Sequence, residues 1–335
     1  MSEVSVLLPF RNAAATLCEC FESILAQSFQ PFEVLAIDDG SQDNSAAIAR
    51  KFARQDPRIR LLQPGRLGLI RSLNFGIERA RTPIIARMDA DDRMASNRLQ
   101  VQFDRLRDRP DLALVASLVE LFGSQPILAG YREYIRWQNQ CLDPDTIAAN
   151  IYVESPFAHP SVAIRRRVLE SVGGYRDGAF PEDYELWLRL HQRGDRMAKV
   201  PQTLLYWRDR GDRTSRTDPR YSRRAFDRLR ADFLSRDPRV QAKRELVVWG
   251  AGKKTRRRVR LLRDRGISFN AWIDIDPSKI GRTLWDLPIH PPEWLDRTPR
   301  PFVLIYVTNH GARSLISSKL HHWGYRLGVD FVAVG

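Results

Sequence analysis

Short apolar runs alternate with amphipathic stretches along the first part of the chain. The apolar runs predict buried strands, at residues 4–10, 32–37, 59–62 and 84–86. Stretches with apolar residues three and four positions apart predict helices between them, at about residues 13–27, 45–55 and 68–81. Strands that alternate with helices of this length indicate right-handed βαβ units. The pattern therefore predicts an α/β fold with a mainly parallel sheet flanked by helices.

The second part of the chain predicts a further helix and strand and then a separate unit. An Arg-rich amphipathic helix at about 97–109 precedes a buried strand at 112–122, and residues 125–158 are less regular. A basic helix at about 219–234 leads into residues 235–238, which we interpret as a linker. After it, a second, smaller parallel sheet is predicted, with strands at 245–249, 269–273, 302–307 and 331–334. We therefore expect two domains, residues 1–236 and 243–335.

Composition is typical of a globular protein, with 335 residues, 43% hydrophobic and 28% charged. No apolar run approaches the roughly 20 residues that cross a bilayer, and the first residues lack the pattern of a secretory signal. Cys18, Cys20 and Cys141 are odd in number and lack metal-ligand spacing. We expect a cytoplasmic protein, with peripheral contact at the inner membrane face as an open alternative.

The net charge of +14 comes almost entirely from arginine, because only seven of the 54 basic residues are lysine. Arginine suits phosphate through its planar, bidentate guanidinium. A nucleotide substrate or an anionic membrane surface would fit this charge, and a simply solvated basic surface is the alternative. The sequence has no helix-turn-helix, RNA-binding aromatic signature or zinc-finger spacing, so we do not expect nucleic acid as a partner.

Carboxylates follow two of the predicted strands. Asp89, Asp91 and Asp92 come after the run 84–86, and Asp38 with Asp39 after the run 32–37. Carboxyl ends of parallel strands share one edge of a sheet, where ligands bind. Carboxylates this close repel one another, and a Mg²⁺ or Mn²⁺ ion that also binds substrate phosphates would stabilise them. A solvated acidic turn is the alternative for either cluster alone.

Five segments carry a family resemblance, and they occur in the family's order. They are VSVLLPFRN, FEVLAIDDGSQDNS, GLIRSLNFGIERA, MDADD and HPSVAIRRRVLESVGGYRDGAFPEDYELWLRL. Together, over about residues 3–235, they resemble the family 2 glycosyltransferases of the GT-A fold. The resemblance implies metal-dependent, inverting, non-processive transfer of a sugar from a nucleotide donor, with a UDP-sugar favoured. It also implies a saccharide or lipid-linked acceptor hydroxyl and a part in cell-surface polysaccharide synthesis.

The resemblance also implies roles for residues of the donor site. Pro9 would shape the nucleoside pocket, and Asp39 would accept a hydrogen bond from the base; Asp38 either joins them or caps its own loop. Asp91, with Asp89 second, would hold the metal, and Asp92 would bond the sugar or ribose. Further substrate contacts are expected at Arg66, Arg71, His159, Gly174, Arg208 and Arg213. For Arg71 a solvated position, and for His159 a hydrogen bond within the core, are the alternatives.

A second acidic pair, Glu182 and Asp183, opens a helix. In inverting members of the family the aspartate of this pair is the general base, so the resemblance implies that Asp183 takes the proton from the acceptor hydroxyl. Glu182 would orient the acceptor. We expect the helix N-terminus to keep Asp183 ionised. Ordinary acidic residues in a first helical turn are the alternative.

The C-terminal segment resembles the Rossmann-like, sugar-nucleotide-recognising domains of bacterial sugar-modifying enzymes. Gly250, Gly252 and Asp274 match part of a dinucleotide fingerprint, although Thr255 replaces its third glycine. A bound nucleotide and a packing module without ligand both stay open. If this segment carried the activity, the protein would be a dinucleotide-dependent oxidoreductase or a non-catalytic nucleotide-sugar-binding module.

Overall fold

The computed structural model describes residues 2–123, 127–211, 213–307 and 311–335. The chain packs as two compact units. The first runs to Pro144 and resumes at Pro156–Asp218, and the second combines Asp145–Ser155 with Pro219–Gly335. The predicted domain ranges 1–236 and 243–335 divide the chain at other positions. Within the described residues, no helix is long and apolar enough to cross a membrane.

The first unit is built on one mixed sheet, in the order β3-β2-β1-β4-β7-β6-β8-β5. Its strands are β1 Val4–Phe10, β2 Phe32–Asp38, β3 Ile59–Leu62, β4 Ile84–Arg87, β5 Arg93–Met94, β6 Leu112–Phe122, β7 Ala163–Arg165 and β8 Arg196–Arg208. The first four are parallel to one another, whereas β7 runs antiparallel to both of its neighbours. The predicted parallel half of the sheet is thereby confirmed. Strand β8 was not predicted, because Arg196, Lys199 and Arg208 interrupt its apolar pattern.

Helices flank this sheet. Those of the first unit are α1 Leu17–Leu25, α2 Ser45–Gln55, α3 Leu69–Arg79, α4 Arg98–Asp108, α5 Ala129–Gln140, α7 Arg166–Ser171, α8 Glu182–Gln192 and α9 Thr214–Thr217, with a 3₁₀ turn at His159–Ser161. Helix α5, and α6 at Pro144–Asn150, lie in the range 125–158, which was interpreted as less regular and in which no helix was predicted. That prediction was wrong because Ile135 and Gln138 are the buried residues of α5 and partly buried aromatic side chains line the rest, so an aliphatic periodicity is missing.

The strand register brings the two acidic segments to one edge of the sheet. Strand β1 lies between β2 and β4, with Phe10 opposite Asp38 and Leu7 opposite Arg87. Because the three strands are parallel, the segments that follow β2 and β4 leave at the same edge, on either side of β1. This confirms the predicted common edge.

The second unit contains its own sheet, ordered β11-β12-β10-β9-β13-β14. Its elements are β9 Leu246–Trp249, β10 Ala271–Ile273, β11 Thr283–Leu284, β12 Leu287–His290, β13 Phe302–Ile305, β14 Phe331–Ala333, α10 Arg223–Leu234, α11 Pro238–Gln241, α12 Lys253–Arg263 and α13 Ala312–His322. All its strand pairs are parallel except that of β11 with β12. With β9 central and the chain turning back toward β13, this is a doubly wound order.

Residues 235–238 are packed within the second unit, so the predicted linker is wrong. Asp237 is buried, and one of its carboxylate oxygens accepts a hydrogen bond from the Tyr152 hydroxyl at 3.0 Å. Arg230 donates to the Val153 carbonyl at 3.1 Å, and the backbone N–H of Gly335 donates to the Tyr152 carbonyl at 2.9 Å. These bonds tie the segment 145–155 into the unit. The apparent linker composition was misleading because Ser235 and Asp237 act as helix caps.

Candidate active site

Three carboxylates cluster directly after β4. Asp89, Asp91 and Asp92 each place an oxygen within 4.8 Å of the others. Burial, and then the charge of Asp89, raises the pKa of Asp91, and the same causes raise the pKa of Asp92 well above its usual value. One oxygen of Asp92 accepts the Arg208 backbone N–H at 2.8 Å; the other is buried and has no hydrogen-bond partner among the described residues. Burial and mutual repulsion thus both disfavour the charged forms of Asp91 and Asp92.

Two buried arginines, Arg87 and Arg98, lie beside the cluster. Arg87, the last residue of β4, is 3% exposed and forms an ion pair with Asp89. Its carbonyl accepts a hydrogen bond at 2.9 Å from Arg98, whose pKa burial lowers to about 9. No role was predicted for Arg87. The available signal was a cation inside an apolar run immediately before three aspartates.

Asp38 and Asp39 are both engaged by neighbouring backbone. One oxygen of Asp39 accepts the N–H groups of Leu67 and Gly68 at 2.6 and 2.8 Å, which fixes the turn that leads into α3. Its other oxygen lies 3.5 Å from the Arg66 guanidinium. Asp38 accepts the backbone N–H of Ser41 at 2.9 Å, as the loop-capping alternative predicts. The second oxygen of Asp39 is thus paired with a cation rather than with backbone N–H groups.

Other predicted donor contacts lie near this edge of the sheet. Pro9 is buried near the end of β1, opposite Ile37. Arg66 precedes α3 with its side chain 56% exposed, and Arg71 is exposed in the first turn of α3. Both arginines are therefore accessible to a ligand.

Glu182 and Asp183 form the first turn of α8. The backbone N–H of Tyr184 donates to Asp183 at 2.7 Å. Burial, and then the charge of Glu182, nevertheless raises the pKa of Asp183 to about 8. Our expectation that the helix N-terminus keeps Asp183 ionised at neutral pH is therefore wrong, because burial and the adjacent carboxylate outweigh one favourable hydrogen bond.

His159 connects α8 to the preceding turn. Its Nε2 lies 2.8 Å from the Tyr175 hydroxyl, and its Nδ1 lies 3.9 Å from Glu182. Burial, and then the charge of Arg87, lowers the pKa of His159 well below its usual value, so the imidazole is neutral. These contacts match the alternative of a hydrogen bond within the core.

The turn before α8, at Gly174 and Tyr175, is held by hydrogen bonds from Asn74 and Arg189. Asn74 on α3 exchanges two hydrogen bonds of 2.9 Å with the backbone of Tyr175. Gly174 has a φ of +68°, and a Cβ there would lie 2.5 Å from the Asn74 side-chain oxygen. Arg189 also donates to the Gly174 carbonyl at 2.9 Å. Close packing against Asn74 thus requires glycine at this position.

Arg208 and Arg213 approach the acidic cluster differently. Arg208 donates to the Asp91 carbonyl at 2.7 Å and pairs with Glu19, so it braces the loop. Arg213 donates to the Tyr131 hydroxyl at 3.0 Å and lies 4.2 Å above the Trp207 ring. Its charge lowers the pKa of Asp91 and Asp92, against the larger effect of burial. Arg213 is therefore a cation beside the carboxylates.

The glycine loop of the second unit is fastened by Asp274. That carboxylate accepts the Ala251 backbone N–H at 2.8 Å and the Lys279 ammonium at 3.2 Å. Gly250 has a φ of +110°, and a Cβ there would lie 3.2 Å from the Thr255 hydroxyl. Gly252 caps the N-terminus of α12. The contacts of Asp274 hold the loop.

Comparison with known proteins gives the family. Residues 5–173, half of the chain, match the model of the family Glycosyl transferase family 2. The amylovoran biosynthesis glycosyltransferase AmsE of Erwinia amylovora is 29% identical over 206 residues, 61% of this chain and 75% of its own length. An Escherichia coli UDP-Gal:alpha-D-GlcNAc-diphosphoundecaprenol beta-1,3-galactosyltransferase is 28% identical over 203 residues, 60% of this chain and 72% of its own.

Two solved structures share the fold. Staphylococcus aureus TarS 1-349 in complex with UDP-GlcNAc superposes with a TM-score of 0.55 at 16% identity, over 70% of this chain and 72% of its own. A mannosyltransferase from Pyrobaculum calidifontis in complex with GDP-Man and Mn²⁺ gives 0.50 at 20% identity, over 70% and 62%. With the family match, these likenesses establish that the chain belongs to glycosyltransferase family 2 and has the GT-A fold.

Proposed function

We propose that the protein transfers a sugar, with inversion and without processivity, from a nucleoside diphosphate donor to a saccharide or lipid-linked hydroxyl. The observation that carries the proposal is the triad Asp89, Asp91 and Asp92 in the same unit as the buried Glu182 and the half-buried Asp183. A UDP-sugar is favoured because one similar structure contains UDP-GlcNAc and one relative is named for UDP-Gal. That relative is also named for a lipid-diphosphate acceptor, and AmsE for polysaccharide synthesis.

The acidic triad fits a hard divalent cation, Mg²⁺ or Mn²⁺. Its oxygens lie within 4.8 Å of one another. Burial, and then the charge of Asp89, raises the pKa of Asp91 and Asp92, and one buried oxygen of Asp92 has no hydrogen-bond partner among the described residues. Asp91, with Asp89 second, would hold the ion, while Arg87 keeps Asp89 in place. When bound, the ion would neutralise charge on the departing diphosphate.

The protein's own groups divide the remaining work. Arg213 would contact the diphosphate from beside the triad, and Asp92 would bond the sugar or ribose. Asp183 would accept the proton of the acceptor hydroxyl, and a base with a pKa near the working pH performs this transfer well. Glu182, which lies 3.9 Å from His159, would orient the acceptor.

The oxidoreductase alternative lacks support from the second unit. In a dinucleotide site the acidic residue after the second strand binds ribose hydroxyls. Here Asp274 accepts hydrogen bonds from Ala251 in the glycine loop and from Asp276 and Lys279 in its own loop. Titration with NAD⁺ tests this directly, and we expect no heat of binding.

Donor hydrolysis tests the proposal. The full chain with Mn²⁺ is mixed with UDP-, GDP- and dTDP-sugars, and the slow release of nucleoside diphosphate is measured. We expect release from one class of donor, its loss with EDTA and its return with excess Mn²⁺. Asp91→Asn should abolish release, whereas Asp108→Asn, at an exposed position, should not. Absence of release and of thermal stabilisation with every donor would overturn the proposal.

A further inference from the structure

The positive charge of the chain is concentrated in the second unit. Its two segments contain 24 Lys and Arg against 13 Asp and Glu, a net charge of +11. The first unit has 30 basic and 27 acidic residues, a net charge of only +3. A general enrichment in arginine would affect both units alike. The imbalance therefore points to a property of the second unit.

Much of this charge is exposed on one helix. Lys253, Lys254, Arg257, Arg260 and Arg263 are all exposed on α12, and we call them the basic face. Thr255, Val259 and Leu262 form the buried side of the same helix. Residues 253, 257 and 260 follow helical spacing, so their side chains lie in one row, away from the core.

The acidic residues nearby do not neutralise the basic face. Helix α10 packs beside α12, and its Asp227 lies 3.2 Å from Arg258 and its Asp232 2.6 Å from Arg265. Both pairs use cations outside the basic face, Arg258 on α12 and Arg265 just after it. Helix α10 also exposes Arg224 and Arg228. Among the described residues, Lys253, Arg257 and Arg260 make no ion pair.

We propose that the basic face docks the protein on a membrane surface rich in anionic phospholipid headgroups. A row of flexible cations suits a diffuse negative surface, where each contributes independently. Helix α12 contains no aromatic residue on which bases would stack, and the nearby Trp285 ring lies under the Arg263 guanidinium at 4.7 Å, so single-stranded nucleic acid is disfavoured. The choice of a membrane rests on the proposed lipid-linked acceptor, to which surface docking would bring the enzyme.

Vesicle co-sedimentation of the full chain tests this surface. We expect binding to phosphatidylcholine vesicles that contain about 30% phosphatidylglycerol, loss of binding in high salt, and no binding to pure phosphatidylcholine. The variant K253Q/R257Q/R260Q should bind about 100-fold more weakly, since each cation near such a surface contributes about a factor of five.

The control removes three cations from the first unit. Arg50, Lys51 and Arg54 are exposed on α2, and R50Q/K51Q/R54Q should bind vesicles within about twofold of the parent chain. Three outcomes would overturn the proposal. They are equal weakening of vesicle binding in both variants, unchanged vesicle binding by the α12 variant, and tighter binding of the parent chain to a single-stranded RNA than to the anionic vesicles.

Donor hydrolysis without vesicles separates this inference from the proposed function. The α12 variant should hydrolyse donor in solution at the parent rate, because none of its three positions belongs to the first unit. Vesicle binding without hydrolysis would overturn the proposed function and leave the docking surface supported. Hydrolysis without vesicle binding would support the proposed function and overturn the docking surface.

Discussion

At the scale of single residues, Asp183 is the carboxyl whose loss should separate proton transfer from donor binding. Asp183→Asn keeps the size of the side chain but removes the base, so transfer to acceptor should fall by about 10²- to 10⁴-fold. Donor affinity, measured by calorimetry with the UDP-sugar, should stay within about twofold. Asp177→Asn makes the same change at an exposed carboxyl and should leave both unchanged. Normal transfer by the Asp183 variant would mean that another group is the base.

The pH dependence of transfer should report the same carboxyl. Its pKa is raised to about 8, and a base acts only when deprotonated, so kcat/KM should rise with pH and level off above about 8. Glu182 is the second cause of the raised pKa, after burial, and Tyr175 and Arg87 also face the group. Glu182→Gln should therefore move the rise to lower pH. A profile that is flat from pH 6 to 9 in the parent chain would contradict this assignment.

Residues of the site were predictable to different degrees. Asp89, Asp91 and Asp92 were predicted to cluster because they follow a buried strand within four positions and share a sheet edge with Asp38 and Asp39. The sheet edge at which Asp39 lies was predicted correctly, but its hydrogen bonds to the backbone of Leu67 and Gly68 depend on how α3 packs. Arg87 was missed because only the folded chain places that cation against Asp89.

At the scale of elements, Asn74 joins α3 to the turn before α8. Asn74→Ala removes both of its hydrogen bonds to the Tyr175 backbone and should cost about 2 kcal/mol, lowering the midpoint of thermal unfolding by about 4–8 °C. Gly174→Ala should also destabilise, because its Cβ would lie 2.5 Å from the Asn74 oxygen at a φ of +68°. Arg71→Ala, at an exposed position of the same helix, should not change the midpoint.

The double variant Asn74→Ala/Gly174→Ala tests whether the two residues destabilise through their direct contact. Removal of the Asn74 side chain leaves room for the new Cβ, so the double variant should lose less unfolding free energy than the two single variants together. Thermal unfolding by circular dichroism measures all four proteins. Fully additive costs would mean that Asn74 and Gly174 act on stability separately.

Element prediction was best where aliphatic periodicity was complete. Strand β6 was predicted at residues 112–122, as observed, and α2 and β3 were also placed correctly. The irregular interpretation of residues 125–158 was wrong, because α5 relies on aromatic side chains such as Tyr134 and Trp137. Helix α10 was predicted, but its membership in the second unit follows from long-range packing that no local pattern shows.

At the scale of the whole molecule, the two compact units interrupt one another in sequence. The segment 145–155 lies between the parts of the first unit, yet its buried Tyr152 bonds to Asp237 and to the backbone of Gly335. The sequence predicted both sheets and their order along the chain. It could not reveal this discontinuity, because the contacts join positions 85 or more residues apart.

A chain cut after Arg236 would match the predicted domain boundary but divide the second unit. It would lose Asp237, which bonds to Tyr152, and Arg258, which pairs with Asp227, and it would expose Leu234, which is fully buried. We expect residues 1–236 to aggregate, to bind a hydrophobic dye and to be cleaved by protease within 145–155 and 223–234. A chain of residues 1–218 in which a Gly-Ser linker replaces 145–155 preserves the first unit and should elute as a compact monomer. A monomeric, protease-resistant 1–236 would instead support the boundary at residue 236, because it would show that α10 folds stably without the second sheet.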